Sequence, residues 1–262
     1  MTGRPRAPRR WVGFMARAGV AVAGLVALGP APAWAQTPDE TWRIDLRDDV
    51  EVCERGLRTG STATLSIESG RRWDRGRCTR GEARLRLVRD RGRIVEVELE
   101  PLPRDSTAVM MLGSRRASDL LLGLARDGST RADAAETGIM VSTLLSGVDV
   151  WPRVLGIARD RSVEGEIREA AVFWLGQGAA EAVTGDLSAL AREPDEDDEV
   201  REAAVFALSQ RPPDQGVPAL VELVRTSEHG AVRRSALFWL AQSGDPRALD
   251  LFQEILVPGR GG

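Results

Sequence analysis

The sequence predicts a mainly α protein, an α-solenoid of helix pairs over residues 115–258, preceded by a small disulfide-stapled β region over residues 36–105. Three observations predict it. An apolar-rich block of eleven residues recurs with offsets of 33 and 32 residues, beginning at Ile167, Val200 and Val232. A shorter element keeps its own register between the blocks, so that Arg126, Arg159, Arg192 and Arg225 are spaced 33, 33 and 33 residues apart. Upstream, the pattern changes to period-two alternation, the mark of half-buried strands. Two helical elements in a fixed period in the thirties define stacked helix pairs.

Residues 1–35 carry five arginines and no acids, then an apolar run of twelve residues from Ala18 to Gly29 and a small-x-small site at Ala33-Trp34-Ala35. This reads as a secretory signal peptide cleaved after Ala35. The run is too short to span a bilayer, which takes roughly 20 apolar residues. The expected compartment is periplasmic or secreted, with no membrane span after cleavage. Arg9-Arg10-Trp11 also hints at a twin-arginine signal.

In the β region, Thr62–Glu68, Ala83–Val88 and Ile94–Leu99 alternate, Asp90-Arg91-Gly92 suits a hairpin turn, and Trp42 to Val52 is a weaker strand candidate. Cys53 and Cys78 are the only cysteines. In an oxidising compartment two such cysteines form one structural disulfide, useful to a region with few large apolar side chains. Residues 71–93 hold ten arginines and three acids. Arg71, Arg72, Arg75, Arg77, Arg84 and Arg86 are candidate anion-binding residues. The competing account is a solvated strand face, neutralised across strands by Glu96, Glu98 and Glu100.

In the helical region, Val200, Ala203, Ala204, Ala207 and Leu208 fall at i, i+3, i+4, i+7 and i+8, one face of an α-helix. Phe173, Phe206 and Phe238 add a second apolar stripe, and the expectation is that neighbouring helices sandwich it, with Trp174 and Trp239 filling wider gaps. Asp245 before Pro246 reads as an N-cap ahead of a proline at the first helical position. The Val-Arg-x-x-Ala start of the first helix and the Gly-Asp-Pro-Arg-Ala start of the second resemble HEAT-like repeats of the phycobilisome-lyase type. The resemblance covers roughly residues 115–257, and it implies antiparallel helix pairs used for protein–protein interaction.

Composition narrows the chemistry. The chain has 262 residues, one histidine and no lysine or tyrosine. This excludes a multi-histidine metal site, a Schiff-base lysine and a catalytic tyrosine. Deoxyhypusine hydroxylases, which resemble this superfamily, hold two irons in several His-Glu pairs, and a single Glu228-His229 in reversed order cannot build that site. No catalytic residue, cofactor or metal ligand is assigned. Without the five arginines of residues 1–35 the formal charge moves from −3 to −8, which argues against nucleic acid as a partner. The acidic run Glu193–Glu199 lacks the spacing of a calcium loop and reads as a solvated connection.

The expected function is a non-enzymatic protein-interaction scaffold. Arg126, Arg159, Arg192 and Arg225, with Gln177, Gln210 and Gln242, are the candidate partner-binding residues. Helix capping and inter-repeat bridging are the structural alternatives for both ladders. The rival functions are an enzyme with chemistry in the β region, and an anion or polysaccharide binder acting through residues 71–93.

Overall fold

The computed structural model describes residues 40–53, 56–59, 78–103, 109–178 and 182–256. The expected signal peptide, the strand at Thr62–Glu68 and Arg71, Arg72, Arg75 and Arg77 lie outside the described residues. No helix among the described residues is long and apolar enough to cross a membrane. The chain divides into two compact units. Among the described residues the first runs to Leu120 and adds Ser129–Thr137 and Leu144–Val148. The second holds Leu121–Gly128, Gly138–Thr143 and the chain from Asp149 onward.

Two three-stranded antiparallel sheets build the first unit. One has the order β1 (Glu40–Asp45), β5 (Glu82–Asp90), β6 (Arg93–Glu100); the other has β3 (Gly56–Thr59), β2 (Val50–Cys53), β4 (Cys78–Arg80). The Trp42–Val52 segment is therefore two strands in different sheets, parted at Leu46–Asp49. Arg91 and Gly92 both have positive φ and form the two-residue loop between paired Asp90 and Arg93, a type I′ geometry that matches strand twist. Ala83, Leu85 and Leu87 point alternately into the core as expected. In β6 the alternation fails: Ile94 and Val97 are both buried. A register shift at Val88/Arg89 leaves Val95 without a partner, and one extra residue flips the inward phase. Cys53 and Cys78 face each other in the β2–β4 register and are joined by a disulfide. The outer edge of β1 is occupied by residues 110–112, with Arg43 N–H donating to Met110 O (2.9 Å) and Leu112 N–H to Arg43 O (2.8 Å).

Nine α-helices lie among the described residues: α1 (Ser114–Gly123), α2 (Ala132–Leu144), α3 (Trp151–Ala158), α4 (Gly165–Gln177), α5 (Ala182–Arg192), α6 (Asp198–Ser209), α7 (Pro213–Thr226), α8 (Gly230–Ser243) and α9 (Pro246–Leu256). The helices that carry the recurring block, Ile-Arg in α4 and Val-Arg in α6 and α8, pack in that order, each on the next. The second helices α5 and α7 pack beside them. Val200, Ala203, Ala204, Ala207 and Leu208 are buried as the periodicity requires. Small residues set the spacing. A Cβ on Gly176 would lie 2.8 Å from the Cβ of Ala207, and one on Gly216 would lie 2.3 Å from the carbonyl oxygen of Leu208.

The aromatic stripe departs from expectation. Phe206 is buried, but Phe173, Phe238, Trp174 and Trp239 are half-buried. They form one run of ring contacts, with centroid separations of 5.2 Å for Phe173–Trp174, 6.3 Å for Phe173–Phe206, 5.0 Å for Phe206–Trp239 and 5.0 Å for Phe238–Trp239. Phe206, on the middle helix, lies between Phe173 of α4 and Trp239 of α8. Asp245 caps α9 as expected, accepting the backbone N–H of Arg247 at 2.9 Å, while Gly244 ends α8 in the left-handed region.

Candidate functional site

The second unit carries the arginine ladder along its second helices. Arg126 ends a 3-10 turn at Leu124–Arg126, Arg159 follows α3, Arg192 ends α5, and Arg225 sits in the last turn of α7. These ends suit cations, because the helix dipole is negative there. Each guanidinium also reaches a carboxylate further along the array: Arg126–Asp160 at 2.9 Å, Arg159–Asp186 at 3.2 Å, Arg192–Glu222 at 2.9 Å and Arg225–Glu254 at 2.5 Å. Hydrogen bonds from the Ser162 side chain and from Arg126 lower the Asp160 carboxyl below its ordinary range. Such partly exposed pairs are screened by solvent and add little to stability.

The same helices present a smooth strip. Pro152, Gly185 and Pro218 are exposed, each seven residues before a ladder arginine and so two turns along the same helical face. A Cβ on Gly185 would meet nothing within 4 Å. Beside Pro218, a cavity of about 420 Å³ is lined by Val221, Glu222, Arg225, Arg247 and Asp250, among others.

Gln177, Gln210 and Gln242 are all exposed near the ends of α4, α6 and α8. Gln210 Nε2 donates to Ser209 Oγ at 3.0 Å. Gln210 and Gln242 line one cavity of about 590 Å³ with Leu208, Val217, Trp239 and Asp245. Asp245 is held at about 2 by hydrogen bonds from the Arg247 side chain and backbone.

A third arginine set, absent from the candidate residues, holds the loops. It occupies the second position of each repeated block, after Ile167, Val200 and Val232. Arg168 is buried; its Nε donates to Ala158 O at 3.0 Å, and it pairs with Glu196 at 2.5 Å and with Asp197 at 2.9 Å. Arg201 donates to Glu193 O at 2.9 Å and pairs with Asp198. Arg233 donates to Ser227 O at 2.6 Å. The acidic run is therefore not wholly solvated: Glu196 is buried, and the cation it meets is Arg168. Arg211, also buried, donates to Gly178 O, to Gln215 Oε1 at 2.8 Å and to Thr184 Oγ1 at 3.2 Å, and burial lowers its pKa. The repeat register of Arg168, Arg201 and Arg233 is readable in the sequence, whereas their carbonyl and carboxylate partners lie in connections of unequal composition.

In the first unit, Arg84 pairs with Glu100 and Arg86 with Glu98 across β5 and β6, while Arg43 pairs with Glu82 and Arg89 with Glu40. The charge of the described part of 71–93 is thus largely neutralised in place. Burial, and then Glu98, raise the Glu96 carboxyl above its ordinary range. Among the described residues, the one group with metal-ligand proximity is Glu51, Cys53 and Cys78, and its two sulfurs are joined to each other.

A family model described as HEAT repeats matches residues 186–258, from within α5 through α9. Over this stretch the chain is HEAT-like. No curated protein matches the chain.

Proposed function

We propose that this chain is an exported, non-enzymatic scaffold that binds a protein partner along the second-helix face of its HEAT-like array. One observation carries the reading: Pro152, Gly185 and Pro218 recur in register with Arg159, Arg192 and Arg225, giving a low strip beside a row of tethered charges. A partner segment can lie on such a strip without displacing side chains, and the pre-set charges give it a defined register. The Gly-Asp-Pro-Arg-Ala turn supports the phycobilisome-lyase-type repeat within the HEAT-like class. The Cys53–Cys78 disulfide supports export, since such bonds persist in oxidising compartments. The pairing of Arg84 and Arg86 with glutamates weighs against anion capture on that strand.

The test is affinity capture from periplasmic extract with the purified chain and with Gly185→Arg and Pro218→Arg variants. A partner retained by the parent and lost by both folded variants is expected. A partner held equally by all three overturns the assigned face. An N-terminus at Gln36 in the exported protein is the expected mass-spectrometric result, and an intact Met1 in that compartment contradicts cleavage after Ala35.

A further inference from the structure

The last described helix pair, α8 and α9, repeats α6 and α7 at an offset of 32 residues, so burial can be compared position by position. In α7, Val217, Leu220, Leu223 and Val224 are at most 8 % exposed. Their counterparts in α9 are Leu249, Phe252, Ile255 and Leu256; Leu249, Ile255 and Leu256 are 59, 49 and 78 % exposed, and Phe252 is half-buried. The first helices show the same change. Val205 and Phe206 of α6 are buried, whereas Leu237 and Phe238 of α8 are half-buried. Arg234, Leu237, Phe238 and Ala241 fall at i, i+3, i+4 and i+7, opposite the buried Val232, Ala236 and Leu240. This pair presents the apolar surface that, one repeat earlier, is covered by the next pair.

We propose that this face pairs two copies of the chain about a two-fold axis, as an additional layer of the same repeat-on-repeat packing. Charge selects the arrangement. Arg234 is exposed, with no ion pair among the described residues, and it lies near the start of α8. The last turn of α8, at Ala241 and Gln242, carries carbonyls at the negative end of the helix dipole. Antiparallel α8 helices crossing at Leu237–Phe238 set Arg234 of each copy against the last turn of the other. The same axis brings α9 against its mate, so that the Leu249 end of one meets the Leu256 end of the other. A self-complementary patch of this kind closes at two copies. The pairing uses a face other than the partner strip and stands or falls separately from it.

Sedimentation of the purified, disulfide-bonded chain tests the proposal. A dimer is expected, and Leu249→Glu with Leu256→Glu is expected to give a monomer with unchanged far-UV circular dichroism. Both leucines are exposed, so the fold does not depend on them. Arg234→Glu is expected to weaken the dimer about tenfold, and adding Gln242→Arg is expected to restore it. A monomer at about 100 µM, or a dimer that survives the double leucine variant, overturns self-pairing. A dimer indifferent to Arg234→Glu overturns the antiparallel arrangement.

Discussion

Arg168 shows how far a side chain's role departs from its type. It has 1 % of its side chain exposed, against 3 % for its partner Glu196, and truncating one member of such a pair strands the other charge away from water. Arg168→Ala should cost about 3–5 kcal/mol, read as a lower denaturant midpoint. Arg225→Ala, at an exposed pair, should cost less than about 1 kcal/mol. Asp245 gives a pH signature. Its carboxyl is held at about 2 by the Arg247 hydrogen bonds, so its stabilisation is present above the ordinary carboxylate range and is lost as pH falls toward 2. Asp245→Asn should flatten that part of the stability–pH curve; an unchanged curve contradicts the assignment. The ladder arginines were visible in the sequence because they repeat at a constant interval. Their carboxylate partners were not, since Asp160, Asp186, Glu222 and Glu254 lie at unequal distances from them.

At the scale of elements, packing depends on where helices approach most closely. A methyl group on Gly216 meets a backbone oxygen, which cannot move aside as a flexible side chain would. Gly216→Ala should therefore cost about 1–3 kcal/mol, although alanine favours helix. Phe206→Ala should cost about 3–5 kcal/mol by leaving a cavity. Phe238→Ala, at the half-buried counterpart, should cost clearly less, and equal losses would show the two positions to be equivalent. The helices of the three clear repeats were legible because several turns of one periodicity reinforce each other. The inward phase of β6 was not, because a single unpaired residue at Val95 reverses the alternation and leaves no mark in composition.

For the whole molecule, the first unit has two small sheets, and the bond between β2 and β4 replaces core that short strands cannot supply. Replacing Cys53 and Cys78 by serine should cost about 2–5 kcal/mol and lower the thermal midpoint. The parent in reductant should behave like the variant, and a midpoint insensitive to both would show that the bond adds nothing. The sequence changes from period-two alternation to helical periodicity near residue 110. The contact boundaries are finer, since the first unit also takes Ser129–Thr137 and Leu144–Val148, which no local pattern announces.

The burial of Arg168 also bears on how the polypeptide acquires its shape. Asp197, which also bonds its guanidinium, lies 29 residues downstream, past the whole of α5. A chain emerging from its N-terminus can wind α4 at once, but that helix keeps an unanswered charge until the following connection has arrived. The layer that holds α4 is completed by residues made after it. Damage between Arg192 and Asp198 would accordingly be felt upstream of the break, in a helix whose own sequence is intact.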